Sequence, residues 1–106
     1  MATGRPDMQL GQAALIELTI AHELVRQRLP AVRLLIEQAL ARRPARLVLD
    51  LAECPTIDAS GIELLLSTHR RLWRSEGRLA LRRPTARVLR LLEISHATKV
   101  LEIDAS

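Results

Sequence analysis

Apolar residues alternate from Ala14 to Ile20, with Ile16, Leu18 and Ile20 on one side and Leu15, Glu17 and Thr19 on the other, the period of a half-buried strand. After a connection over His22 to Leu29 the period lengthens. Pro30 suits the first helical position, and Val32, Leu35, Ile36, Ala39 and Leu40 recur at helical spacing, with Arg33 and Glu37 one turn apart as an expected ion pair on the opposite side. Pro44 marks the exit of that helix. Leu47 to Leu51 is almost continuously apolar, as expected of an interior strand covered on both faces, and Cys54, Pro55 and Thr56 form the turn after it. Ile62, Leu65, Leu66, His69, Leu72 and Trp73 make a second helical stripe. That stripe makes His69 a hydrogen-bonded core residue and Trp73 a packing residue, with Gly77 closing the helix in a left-handed conformation. Leu79 to Leu81 reads as a strand and Val100 to Ile103 as a last one; between them Pro84 opens a third helix with Val88, Leu91 and Leu92 inward and Arg87 and Arg90 outward.

The order β-α-β-α-β-α-β predicts an α/β fold with right-handed crossovers and a mostly parallel central sheet of four to five strands with alternating helices. Residues 1–11, which carry Gly4, Pro6 and Gly11, are expected to form a flexible arm, with Asp7 to Leu10 as a short edge strand at most; residues 12–106 form the domain. A chain of 106 residues buries roughly 65% of its unfolded surface, enough for one core without covalent staples. Cys54 is the sole cysteine, so neither an intramolecular disulfide nor a multi-cysteine metal site can form, and the composition fits a reducing cytoplasm. No apolar run reaches the roughly 18 residues needed to span a bilayer and Met1 to Gly11 does not resemble a signal peptide, so a cytoplasmic, uninserted protein is expected.

Charge is unevenly placed: Met1 to Thr68 sums to −1 from 7 Arg and 8 acids, His69 to Arg90 to +7 from 8 Arg and one Glu, and Leu91 to Ser106 to −2 from Lys99 and three acids. Arg70, Arg71, Arg74, Arg87 and Arg90 are read as a solvated or partner-facing surface. Catalysis has little to build on, because His22, His69 and His96 are scattered and no glycine-rich phosphate loop exists; no metal or cofactor is expected. Asp50 reads as a strand-end carboxylate bonded to backbone amides, and it lacks the acidic pair and following lysine that a receiver-type phosphoacceptor needs.

In an open α/β sheet, function gathers where strands end and helices begin, here residues 52–61. Ser60 with Glu63 reads as a capping box, with Ser60 and Asp58 as helix-start residues worth about 1 kcal/mol each. From Arg46 to Ile103 the chain resembles the STAS domain, in particular the bacterial anti-sigma factor antagonists, and more loosely from Ala14. The likeness rests on Asp50-Leu51, the element Ile57-Asp58-Ala59-Ser60-Gly61, then His69-Arg70-Arg71, Gly77 and Pro84. It implies that Ser60 is phosphorylated by a serine-kinase anti-sigma factor and dephosphorylated by a metal-dependent phosphatase, with Glu23, Thr56, Asp58, Ala59 and Gly61 on the partner-binding surface. Two departures stand out. The family's Gly-Glu-Leu-Asp is His22-Glu23-Leu24-Val25 here, without the final carboxylate, and only Asp104, Ala105 and Ser106 follow Ile103 where the family has a further helix. A bare apolar face, open to a partner or a second copy of the chain as a homodimer, is therefore expected. The alternatives are a STAS subunit of a lipid-transport ATPase, whose element reads closer to Asp-[Ser/Thr]-Ala-Gly, or a non-phosphorylated STAS interaction module.

A DNA-recognition motif is absent and stacking aromatics nearly so. Titration with duplex DNA is expected to give weak binding, indifferent to sequence, that falls steeply as salt rises; tight, sequence-selective binding at physiological salt would reject this reading.

Overall fold

The computed structural model describes residues 14–104, so the expected arm over residues 1–11 lies outside them. Four strands, β1 (Leu15–Thr19), β2 (Arg46–Asp50), β3 (Arg78–Arg82) and β4 (Glu102–Asp104), form one sheet in the order β1-β2-β3-β4, every pair parallel. The crossovers are α1 (Leu29–Leu40), α2 (Ala59–Arg74) and α3 (Ala86–Ile94). Short 3-10 turns at Arg26–Arg28 and Ala97–Lys99 lead into α1 and β4, which starts at Glu102 rather than Val100. Successive parallel neighbours joined by right-handed crossovers put all three helices on one side of the sheet.

β2 carries the design. Leu47, Val48 and Leu49 are each 0% exposed, as the uninterrupted apolar run requires, and each contributes about 1.5–3 kcal/mol by burial. Leu47 and Leu49, with Leu79 and Leu81 of β3, face Val32, Ile36, Leu64, Leu65, Leu72, Val88 and Leu92 of the helices. The opposite face of the sheet is charged around a small apolar centre. Alternation places Glu17, Arg46, Arg82, Glu102 and Asp104 there around Val48 and Ala80, with ion pairs Arg82–Glu17 at 3.1 Å and Arg46–Glu102 at 3.1 Å. Because β3 lies between β2 and β4, the Arg46–Glu102 pair must arch over it.

The helices differ in detail from the sequence expectation. Leu35 is exposed, and Glu37 turns from Arg33 to a bidentate pair with Arg71 of α2, one of its bonds 3.1 Å long. The buried face of α2 is Gly61, Leu64, Leu65, Thr68 and Leu72, so His69 is only half-buried and Trp73 is 56% exposed. Pro84 precedes α3 rather than opening it; Thr85 is the cap, its Oγ1 accepting from the Val88 amide at 3.2 Å. The left-handed residue after α2 is Glu76, with φ 66°, and not Gly77. The Glu76 amide donates to the Trp73 carbonyl and the Gly77 amide to the Leu72 carbonyl, a Schellman closure. Gly77 is required for a different reason: a Cβ there would stand 2.7 Å from the Pro44 carbonyl oxygen.

Relief of the left-handed cost at Glu76 outweighs the entropy that a glycine adds to the unfolded chain. Glu76→Gly is expected to stabilise the protein by about 0.5–1 kcal/mol, whereas Gly77→Ala destabilises it; urea denaturation of the two variants checks the opposite signs.

Candidate functional site

The loop between β2 and α2 is tied to the exit of β1. Leu24 and Ile57 form an isolated parallel bridge, with the Leu24 amide donating to the Thr56 carbonyl at 3.0 Å and the Asp58 amide to the Leu24 carbonyl at 3.1 Å. Gly61 makes this approach feasible, because a Cβ there would lie 2.1 Å from the Leu24 oxygen. Both segments leave the C-terminal ends of adjacent parallel strands, where an α/β sheet opens its crevice.

Asp58 is the residue that organises α2. Its Oδ1 accepts from the Gly61 amide at 2.9 Å, which caps the helix, and its Oδ2 accepts from the Arg26 amide at 3.0 Å, which fixes the 3-10 turn before α1. The expected capping box is thereby corrected: Asp58 is the N-cap, Ser60 is the second helical residue, and Glu63 pairs with Arg70 at 3.0 Å instead of reaching back to Ser60. Ser60, two residues past the cap, cannot serve the N-cap geometry, because its backbone is already helical. Ser60 is half-buried. It lines an open surface cavity of about 320 Å³ together with Arg33 of α1 and Ala59, Glu63, Leu64 and Ser67 of α2.

The other residues named from the sequence surround this point. Glu23 is half-buried beside Leu24 and Ala59 is exposed. Thr56 receives the Arg87 Nε at 3.0 Å on its Oγ1, so a cation of α3 is drawn to the same loop. Cys54 is buried, with its Sγ 3.4 Å from the Thr56 carbonyl, and burial pushes its thiol above the usual range. It is a packing residue, not a nucleophile. Asp50 ends β2, pairs with Arg83 and accepts from the Ala52 amide at 2.9 Å, so it holds the start of the loop. Arg33 and Ser67 had not been expected at the site. Ser67 lies two turns after Ser60 on the same face of α2, whereas Arg33 is an ordinary exposed-face residue in sequence that only the packing of α1 against α2 brings to Ser60. Among the described residues, no cluster of His, Cys, Asp and Glu could hold a metal ion, and no helix is long and apolar enough to cross a membrane.

A four-stranded parallel sheet with three helices, and a capped aliphatic-Asp-Ala-Ser-Gly turn at the end of its buried strand, define a STAS-type domain. The chain belongs to the STAS family described as "Mlab, STAS domain", whose model matches residues 11–102. In fold it is similar to a candidate anti-sigma factor antagonist of Thermotoga maritima, with a TM-score of 0.78 at 17% identity over 88% of this chain and 80% of that one. It is also similar to the anti-sigma factor antagonist SpoIIAA in its unphosphorylated form, with a TM-score of 0.62 at 21% identity over 90% and 82% of the two chains. Among curated proteins, none matches the chain in sequence.

Two amides, from Gly61 and Arg26, hold the Asp58 carboxyl below the usual carboxylate range, and Arg83 followed by the Ala52 amide does the same for Asp50. Folded values below the unfolded value of about 3.9 mean that this stabilisation is complete above that pH and is lost as the pH falls through the folded values. Asp58→Ala is expected to cost about 1–2 kcal/mol and to flatten the acid limb of the stability profile, while Ser60→Ala costs less than about 0.5 kcal/mol. Urea denaturation between pH 3 and 7 measures both.

Proposed function

We propose that this STAS domain is an anti-sigma factor antagonist whose binding to a serine-kinase anti-sigma factor is switched by phosphorylation of Ser60. The observation that carries the reading is the division of labour at the helix start. Asp58 does the capping, so the Ser60 hydroxyl is free for transfer, half-exposed in an open cavity, on a loop already anchored at Leu24 and Arg26. The kinase would transfer the γ-phosphoryl of ATP to Ser60 Oγ, with loss of the hydroxyl proton and release of ADP; a metal-dependent serine phosphatase would hydrolyse the ester. This chain supplies the hydroxyl and no catalysis.

A phosphoryl group brings about −1.5 to −2 charges to the first turn of a 16-residue helix, where the dipole tolerates an anion, so the fold survives. The surface around Glu23, Thr56, Asp58 and Ala59 changes instead; Gly61, expected on that surface, is buried against the Leu24 carbonyl and lies beneath it. A dianion next to Asp58 must be desolvated on docking, which disfavours an apolar or acidic partner face and releases the partner without rearrangement. The place of action is the cytoplasm, where ATP is available.

Incubation with the cognate kinase and labelled ATP is expected to label Ser60 and to leave Ser60→Ala unlabelled but still bound to the kinase. Absence of label at Ser60 would reduce the domain to an unswitched interaction module. Co-purification with the ATPase subunits of a lipid transporter in place of a kinase would move it to the transporter branch of the STAS domains.

A further inference from the structure

Trp73 is the sole aromatic residue of the chain and lies 56% exposed, although its helix has a well-filled buried face. It follows Leu72, which is 1% exposed, and the roughly 100° turn per residue carries it out of the core. The Arg78 guanidinium stacks on the ring with its Cζ 4.1 Å from the centroid, and the His69 ring lies 5.7 Å away at 42°. His69, Arg70, Trp73 and Arg74 line a surface hollow of about 340 Å³, and none of these four is acidic. Trp73 is thirteen residues along α2 from Ser60, about 20 Å, so the hollow is separate from the switch site.

We infer that this hollow is a second docking surface, and that its occupant is an acidic protein segment that inserts one aliphatic side chain against Trp73. Charge complementarity singles out that partner. Arg70 and Arg74 line the hollow with the indole, and Arg78 covers one face of its ring. Arg70 is paired with Glu63, but both side chains are more than half exposed, so a partner carboxylate replaces Glu63 at little cost. The hollow is shallow and lined from one helix only, so it suits a side chain presented by a partner surface. Indole and guanidinium groups in one pocket are the combination that supplies most binding energy at protein interfaces.

The same observations disfavour the other polyanions. A nucleic acid requires successive stacking platforms, and Trp73 stands alone; Glu63 and Glu37 lie on the flanking surface, with Arg71 already held by Glu37. A membrane requires several apolar side chains beside the cations. The large exposed ones, Leu15, Leu34, Leu35, Ile94 and Val100, sit on other segments.

Emission of Trp73, the only tryptophan, reports occupancy directly. The probe is the peptide Glu-Glu-Leu-Glu-Glu-Leu-Glu with blocked ends, compared with its Lys-for-Glu counterpart, a single-stranded oligonucleotide and phosphatidylglycerol vesicles. A saturable blue shift with the acidic peptide is expected, weakened by added salt, and weakened about tenfold by Arg70→Glu and by Arg74→Glu. These exposed substitutions leave the fold intact, which thermal melting verifies, and Arg74→Gln serves if Arg74→Glu melts early. The inference is overturned by a flat response to the peptide, by an unchanged response in the Arg70→Glu/Arg74→Glu double variant, or by tighter binding to the oligonucleotide or the vesicles. Because the probe requires neither kinase nor phosphate, loss of this site and loss of the Ser60 switch are separate outcomes.

Discussion

The Asp58 carboxylate is the constraint on which the functional end of the molecule depends. One oxygen closes the first turn of α2 through Gly61 and the other fixes the backbone at Arg26, so one side chain sets the start of two crossovers. Its position is in turn dictated by the Leu24–Ile57 bridge, which is feasible only with glycine at position 61. An anion capping a helix at its positive end is stabilised by charge-assisted bonds and by the dipole at once. Ser60 is thereby left as a bystander to folding, which is the condition a modifiable hydroxyl must meet. Were it the cap, adding a phosphoryl group would disturb the helix that presents it.

The arginine-rich stretch acquires a different meaning once the side chains are placed. Arg71 joins α1 to α2 through Glu37, Arg82 and Arg83 join strands and loop through Glu17 and Asp50, and Arg87 holds Thr56. Much of the positive charge therefore binds this chain to itself. The carboxylates engaged come mostly from residues 1–68, with Asp104 also beside Arg82, so folding pairs four of the eight arginines of the basic stretch with carboxylates. Arg74 and Arg78, with Arg70 in an exposed pair with Glu63, form the concentrated cationic surface around Trp73. Exposed pairs of this kind add little to stability individually, and their greater effect is on which surfaces stay open to partners.

The alternation of strands and helices and the largely parallel sheet were legible from the chain because the first three strands are short and apolar and each is followed by a helical period; β2 was identified as the interior strand from Leu47 to Leu51 alone. The Asp58 to Gly61 element was legible as the site for a similar reason, since a turn after a doubly buried strand has few places to go. Details that depend on which neighbour arrives were not. Ser60 and Asp58 are equally good caps by composition, and the choice fell to Asp58 because only it can also reach the Arg26 amide, thirty-two residues away. Glu37 had a helical partner at Arg33 and took Arg71 across the helix interface instead.

Hydrophobic period and chain direction, both local properties, determined the elements, their order and the parallel sheet, because burying these apolar faces leaves few other arrangements. The tertiary structure decided the helix rotations, and with them the exposure of Trp73, the burial of Thr68 and the meeting of Arg33 with Ser60. A stripe that is apolar over a wide arc, as in α2, tolerates a shift of one position in the buried face, and packing against the sheet and α1 selects among the settings.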